Sequence, residues 1–456
     1  MSILEKYSLK EICDFQNGFA FKNEDYIEKN DDALEVFRMG YINKGGGYKD
    51  DSSPVFIPKS YPKNLEKYLL LEGDIAMAMT DMKNSMAILG YSARIPTSNR
   101  FVLNQRVGRI RVIKKDLVDE KYLYYFMNSK EYILSLQSKS NSGVQVNLGT
   151  NAIKDSIIFL PSLQRQKYVS DILYTLDEKI ALNTQINQTL EQIAQTIFKS
   201  WFIDFDPVHA KANALASGQT LEQATQAAMA VISGKNTQEL HRLQTANPEQ
   251  YQQLWEIAEA FPSGVDEEGV PRGWEERELS YLFEFLSGAQ PPKSEHIYEE
   301  KEGYERFIQN RDYSNDNHKT YIPISKKNKR CTEKDILMDK YGEAGKVRYG
   351  IKGAYNVALA KIVPQKDNLR EFLRSYFTQD KIRNYLSSSS MASTRNSLNS
   401  TTFTRMKVIV PNDFLLSTFD KLANEKIDKI LQIKQENIEL SKLRDYLLPK
   451  LLSGEV

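Results

Sequence analysis

The stretch Glu178-Lys-Ile-Ala-Leu-Asn-Thr-Gln-Ile-Asn-Gln-Thr-Leu190 recurs 250 positions later as Asp428-Lys-Ile-Leu-Gln-Ile-Lys-Gln-Glu-Asn-Ile-Glu-Leu440. Internal repetition at a fixed shift marks a duplicated unit, and the match extends outward from these two segments. At the same shift Leu160-Pro161 meets Val410-Pro411, Tyr122-Leu123 meets Phe372-Leu373, Phe126-Met127 meets Tyr376-Phe377, and Leu148 meets Leu398. Further upstream the shift drifts. Gly73-Asp74-Ile75 resembles Lys334-Asp335-Ile336, and the opening Tyr7–Ile12 with Asn17-Gly18 resembles Glu278–Leu282 with Ser287-Gly288. The tails keep register and the heads diverge.

The tails read as long helices. In the second, Ile430, Ile433, Asn437, Leu440, Arg444, Leu447 and Leu451 follow alternating steps of three and four, a coiled-coil seam about three heptads long. Ile180, Asn183, Asn187, Leu190, Ala194, Ile197 and Trp201 occupy the matching positions of the first. From Ser162 to Phe202 the helix would extend about 60 Å at about 1.5 Å per residue. Two such helices suit a rigid spacer, with ordinary bundle helices as the alternative. Asn187 and Asn437 on an apolar seam are expected to fix register rather than perform chemistry.

The heads mix short β-rich runs with Gly, Asn and Ser loops. The runs include Arg109–Ile113, Ser156–Leu160 and Met406–Val410, with helical stretches over Glu120–Met127 and Asn368–Tyr376 among them. The expected fold is therefore two mixed α/β (α+β) heads joined by two long helices. The domains are expected at 1–160 (head one), 161–269 (long helix plus an Ala- and Gln-rich helical connector), 270–411 (head two) and 412–456 (second long helix).

The 456 residues carry 61 Lys+Arg against 60 Asp+Glu, a net charge of +1 that by itself argues against strong attraction to nucleic acid. Counted by segment, the sum is a cancellation. Residues 1–161 carry +2, 162–269 carry −7, 270–411 carry +7 and 412–456 carry −1. Basic heads suit phosphates, and an acidic connector suits solvent or a protein partner. Two cysteines and four scattered histidines exclude a disulfide framework and argue against a metalloenzyme, so no metal site is expected. No apolar run reaches membrane-helix length, and no signal peptide opens the chain.

Candidate base-reading residues have amide or guanidinium groups, which read adenine and guanine edges bidentately. In head one they are Asn104-Gln105-Arg106 and, within Lys139–Asn147, Lys139, Asn141, Ser142, Gln145 and Asn147. In head two they are Gln309-Asn310-Arg311 and, on the segment 250 residues after Lys139–Asn147, Thr394-Arg395-Asn396. Lys326, Lys327, Lys329, Arg330, Lys346 and Arg348 are candidate backbone-phosphate grips. Solvated surface loops remain the alternative for all of these.

Catalytic signatures are missing. Gly342-Glu-Ala-Gly345-Lys346 has neither the spacing nor the hydroxyl of a phosphate loop, and Asp206-Pro207-Val208 is not an adenine-methyltransferase motif. Asp74 with Asp81-Met-Lys83 is a faint echo of a nuclease metal site, and its counterpart in head two is not preserved. No catalytic residue is expected.

Taken in order, Leu160-Pro-Ser-Leu-Gln-Arg-Gln166, Phe198-Lys-Ser-Trp-Phe-Ile-Asp-Phe-Asp-Pro-Val208, Gly269-Val-Pro-Arg-Gly-Trp274, Leu286-Ser-Gly-Ala-Gln-Pro-Pro-Lys293 and Leu447-Leu-Pro-Lys-Leu-Leu-Ser-Gly454 resemble the specificity subunits of type I restriction–modification systems. The resemblance covers nearly the whole chain. One departure is Val410–Ser417, which lacks the Gln-x-Gln element of the first head-to-helix junction and leaves the start of the second helix blurred.

The resemblance implies two target recognition domains, each reading half of a bipartite, asymmetric site on double-stranded DNA. It implies two conserved antiparallel helices that set the half-site spacing and dock two modification subunits. Those partners use S-adenosylmethionine to methylate adenine N6, and restriction subunits using ATP and Mg complete the complex. It also implies a bacterial or archaeal cytoplasmic protein with no cofactor of its own. A pseudo-symmetric protein scaffold and a nuclease are the rival readings.

Overall fold

The computed structural model describes residues 4–51, 53–82, 86–141, 145–314, 318–391 and 397–455. Two compact units form, Met1–Leu182 with Glu436–Val456, and Asn183–Gln435. Each holds one head and a stretch of both long helices, Leu163–Phe202 and Asp413–Ser453.

In the first unit, strand Glu5–Ser8 pairs antiparallel with Ile157–Leu160, so the head closes on its own beginning just before the long helix starts. Between them lies a four-stranded antiparallel sheet in the order Cys13–Asn17, Val107–Val112, Ile75–Ala78, Ser92–Arg94. All four residues of Ile75-Ala-Met-Ala78 are buried, because this inner strand is covered on both faces. A three-stranded sheet, Phe56–Pro58, Ala33–Phe37, Phe101–Leu103, adds a parallel pairing of Val36 with Val102. Helices Glu120–Met127 and Lys130–Gln137 begin at side-chain caps, Asp119 accepting from Tyr122 N and Ser129 from Tyr132 N. Their apolar faces, with Tyr122, Leu123 and Leu136, pack on Ile75, Met77 and Ile110.

The second unit repeats this plan. Strand Glu275–Glu278 pairs with Lys407–Val410, which lies 250 residues after Ile157–Leu160. The sheet Phe283–Ser287, Leu359–Pro364, Ile336–Asp339, Val347–Arg348 repeats the four-stranded order. The sheet Thr320–Pro323, Tyr304–Ile308, Gly353–Tyr355 repeats the three-stranded one and gains the short strand Arg330–Cys331. Helix Arg370–Thr378 starts 250 residues after Glu120–Met127. The weaker upstream matches also fall on equivalent positions, since Ile75 and Ile336 both open the inner strand.

Gly18 and Gly288 show why the heads tolerate only glycine at one point. A Cβ there would stand 2.0 Å from the carbonyl oxygen of Asn104 or Asn356 respectively. The bridges Phe19↔Asn104 and Ala289↔Asn356 follow immediately, so two strand ends meet backbone to backbone in both heads.

The long helices pack antiparallel within each unit. In the first, Asp177 meets Arg444 at 2.8 Å and Asn437 Nδ2 donates to Ile180 O at 3.3 Å. In the second, Phe198 and Trp201 meet Phe419. Asn183, Asn187, Ala194, Trp201, Ile430, Ile433 and Leu451 are buried, whereas the expected seam residues Leu190, Ile197, Asn437, Leu440 and Leu447 are only half-buried. Beside Ile197, Phe198 is fully buried, because the first helix there meets both Phe419 of the second helix and Phe372 of head two.

Two junction side chains explain the helix starts. Gln166 is buried, with Nε2 donating to Leu117 O (2.8 Å) and Pro161 O (2.9 Å) while Oε1 accepts from Asp119 N (2.9 Å). Its counterpart in the second copy is Leu416, also buried. There Asn412 caps the helix by accepting from Leu415 N at 2.9 Å, and Asp420 accepts from Glu371 N at 3.2 Å. Both helices thus open on an equivalent cap, since Ser162 Oγ accepts from Arg165 N at 3.4 Å in the first, and they differ in the buried Gln166 contacts that Leu416 does not make.

The connector is four helices, Asp206–Ala216, Leu221–Ser233, Thr237–Ala246 and Pro248–Ala260. Thr220, Asn236 and Asn247 cap three of them. Lys211 Nζ donates to the carbonyls of Ala258, Glu259 and Phe261, closing the last helix against the first. Trp274 then packs among Phe202, Phe205 and Phe261 as the chain enters head two.

Gly18→Ala and Gly288→Ala should each destabilise their unit by about 1–3 kcal/mol through forced backbone movement. Gln166→Leu should cost about 1–3 kcal/mol for the orphaned Asp119 N and Leu117 O. Urea unfolding of each variant checks both. A midpoint equal to wild type for Gly288→Ala would refute the close approach.

Candidate nucleic-acid interface

One end of head one gathers polar groups from four separated segments. Met79 is the hub, its N donating to Arg106 O (3.0 Å) and its O accepting from Leu148 N (2.8 Å). The Gln105-Arg106 turn and strand Gln145–Asn147 thus flank one strand end. Strand Thr80–Met82 continues from Met79 and pairs Gln145 with Met82 and Asn147 with Thr80. Asn17 reaches the same end, its Nδ2 donating to Thr150 Oγ1 at 3.0 Å. Gln105, Arg106, Lys139, Asn141 and Gln145 are exposed, and Asn147 is half-buried. Asn141 Oδ1 accepts from Asn147 N at 2.9 Å, which holds Asn141 beside the strand, and Ser142 lies outside the described residues.

Asn104 stands apart from its neighbours. It is buried, its Oδ1 accepts from Arg106 N at 3.3 Å, and it shapes the turn that presents Gln105 and Arg106.

Head two builds the same end around Lys340. Its N donates to Ala358 O (2.8 Å) and its O accepts from Leu398 N (3.2 Å), the bonds that Met79 makes in head one. Lys340 Nζ donates to Ser287 Oγ at 2.9 Å. Asn356-Val357-Ala358 replaces Asn104-Gln105-Arg106, so this turn has lost the amide and guanidinium of its counterpart. Thr394, Arg395 and Asn396 lie outside the described residues. Sequence reading missed Lys340, Ser287, Asn17 and Thr150. The offset of Lys340 from Met79 is 261 rather than 250, which hides their equivalence from a single shift.

The turn after strand Tyr304–Ile308 joins this end, because Asn356 N donates to Ile308 O at 3.0 Å. There Gln309 Nε2 donates to Thr320 Oγ1 (3.2 Å), Arg311 is exposed, and Asn310 is half-buried. Lys329 O accepts from Tyr355 N at 2.9 Å, which sets the exposed run Lys326, Lys327 and Lys329 beside the same strand.

Three expected phosphate grips are engaged by carboxylates. Arg348 is buried and donates through Nε (3.1 Å) and Nη2 (2.7 Å) to Asp339, and through Nη2 to Glu343 (2.8 Å). It belongs to the frame of the head, not to its outer surface. Burial pushes Asp339 above the ordinary carboxylate range against the pull of Arg348. Arg330 forks onto Glu305 at 2.6 and 2.7 Å, although it remains exposed. Lys346 is paired with Glu343 at 2.7 Å.

Asp74 is bound bidentately by Arg111 at 2.6 and 2.7 Å, which uses the carboxylate that the nuclease echo would need. Among the described residues no group of three His, Cys, Asp or Glu is placed to hold a metal ion, and no helix is long and apolar enough to cross a membrane.

The family model of the type I restriction modification DNA specificity domain matches residues 1–192 and 271–444. The chain is 36% identical over 356 residues to the type I restriction enzyme HindI specificity subunit of Haemophilus influenzae, covering 74% of this chain and 76% of that protein. It is 27% identical over 391 residues to the MjaIX specificity subunit of Methanocaldococcus jannaschii, covering 83% and 77%. In fold it is similar to the crystal structure of a type I restriction–modification S subunit from M. genitalium, with TM-score 0.52, 15% identity and coverage of 99% and 96%.

Replacing Arg348 by Met should destabilise the second unit by about 3–5 kcal/mol, since it leaves Asp339 buried without its cation. Arg106→Ala in head one should leave stability within about 0.5 kcal/mol. Thermal melts of the two variants, compared with wild type, check the contrast.

Proposed function

Because this chain belongs to the type I restriction–modification DNA specificity family, we propose that its two heads each read one half of a bipartite, asymmetric site on double-stranded DNA. The observation that carries this reading is one strand plan used twice with unlike polar groups at equivalent positions. Met79 answers to Lys340, and Gln105-Arg106 to Val357-Ala358. Two readers alike in frame and different in surface suit a target whose halves differ, as symmetric dimers suit palindromes.

In head one, Gln105, Arg106, Gln145 and Asn147 supply amides and a guanidinium to base edges, while Lys139 and Thr150 suit phosphates. In head two, Gln309 and Arg311 are the base-edge candidates, with Lys326, Lys327 and Lys329 on the backbone, while Lys340 is buried against Ser287 and shapes the end from within. The long helices fix the separation of the half-sites and dock two modification subunits, which bring S-adenosylmethionine and methylate adenine N6. Restriction subunits with ATP and Mg join that assembly in the bacterial or archaeal cytoplasm. This chain itself performs no chemistry. What supports that division is the absence of any triad or phosphate loop in the sequence, together with the capture of Asp74 by Arg111. The scaffold and nuclease readings have no comparable support.

Co-expressed with its modification subunit in a methylation-free host, the chain should confer N6-adenine methylation at a single two-part motif, read by long-read sequencing. Gln145→Ala should weaken recognition of one half by about 1–3 kcal/mol, and Arg311→Ala recognition of the other. Methylation at no discrete motif would overturn the assignment. Equal loss at both halves in Gln145→Ala would overturn the separate-reader model.

A further inference from the structure

A cavity of about 310 Å³ opens in the second unit between the two long helices and head two. Glu191, Ala194 and Gln195 line it from the first helix, and Lys426, Ile430 and Lys434 from the second. Head two contributes Tyr313, Tyr349, Arg374 and Arg383.

The cavity exists because the duplication is imperfect. In the 250-residue register, Ala194 corresponds to Arg444 and Ser375 to Tyr125. In the first unit Arg444 and Tyr125 both converge on Asp177, at 2.8 and 2.7 Å, and fill the corresponding space. In the second unit a methyl and a hydroxymethyl stand there instead.

The lining is rich in donors and poor in acceptors. Arg374 is 4% exposed and spends Nε and Nη2 on Glu371 and on Lys334 O, while its Nη1 has no hydrogen-bond acceptor. Tyr313 Oη is likewise buried without a partner. The Tyr349 ring lies between two cations, Arg374 Cζ at 4.7 Å and Lys434 Nζ at 4.5 Å from its centroid. Among the described residues, Lys434 has no carboxylate within ion-pair distance. Lys434 is exposed as a whole residue, yet desolvation by the cavity wall around it pushes its pKa below the ordinary lysine value while Glu191 pulls it back. The two lining carboxylates are engaged, Glu371 by Arg374 and Glu191 by Tyr349 Oη at 2.6 Å. Other cations of the wall have outside partners, Arg383 with Asp380 and Lys346 with Glu343. Orphan donors and an unpaired ammonium around one cavity call for an acceptor-only, negatively charged occupant.

We propose that this cavity binds a phosphoryl group, carried on a small ligand of mononucleotide size or on the DNA backbone. A phosphoryl group offers several acceptor oxygens and no obligatory donor, which suits the orphaned Arg374 Nη1 and Tyr313 Oη together with Lys434 Nζ. At the equivalent positions of the first unit, Arg444 and Tyr125 bond Asp177 instead.

The test uses the full chain without DNA, titrated calorimetrically with AMP and with pyrophosphate against potassium chloride of matched ionic strength. One saturable site is expected. Tyr313→Phe and Lys434→Gln should each weaken it at least fivefold, and Glu191→Gln should tighten it, a gain that a merely structural role would not give. If the free anions do not bind, the complex with the modification subunit is titrated with duplex DNA over a salt series. A shallower salt dependence in Lys434→Gln then identifies the DNA backbone as the source of the phosphoryl group. Neither free-anion binding nor a changed salt slope, or affinities equal in all three variants, overturns the proposal. The first arm does not rest on the DNA-reading assignment, so its failure and the failure of that assignment are distinguishable.

Discussion

In the first unit, the carboxylate of Asp177 is the point on which three elements depend. It lies on the first long helix, accepts from Tyr125 Oη of the head at 2.7 Å, and pairs with Arg444 of the second long helix at 2.8 Å. One side chain thus ties a head to both helices. Burial and the nearby Asp177 charge hold the Tyr125 hydroxyl far above the usual phenol range, so it remains a donor at every physiological pH. The second unit solves the same problem with aromatics, as Phe198, Phe202, Phe372 and Phe419 close on one another. Aromatic packing is less directional than a charged hydrogen bond, which is why this unit could exchange the polar triad for small residues and keep its fold.

How much of this was visible in the sequence follows from the range of the interactions. The long helices were legible because a seam with steps of three and four is a local pattern, as was the 250-residue register of the strand and helix that adjoin each tail. The start of the second helix was blurred, because Phe414-Leu-Leu416 stands where the first has Gln-x-Gln and the cap, Asn412, is a single Asn that carries little signal. Burial of Phe198 beside Ile197 was not legible, because a two-helix seam does not anticipate a third surface, the head, closing on the same turn.

For the interface, the strand holding Gln145 and the Gln105-Arg106 turn could be named from residue types, but their adjacency through Met79 joins positions up to 69 residues apart. Arg348 looked like a free cation. Its partner, Asp339, lies across a hairpin in a strand whose pairing no local pattern reveals. Lys340 looked like any other lysine until its two backbone bonds placed it where head one has Met79. Chemistry was legible residue by residue, and convergence was not.

The pairing of each head's first strand with its last has a further meaning. Glu5 lies opposite Leu160 and Glu275 opposite Val410, so the chain leaves a head beside the place where it came in. Residues added or removed inside a head are therefore absorbed between two fixed posts and transmit no displacement to the helix that follows. This accounts for offsets that wander between 250 and 271 within the heads while the strand–helix junctions stay in step. Each head is in effect a loop hung from a clasp, able to be rebuilt from within while the frame that holds it stays the same length.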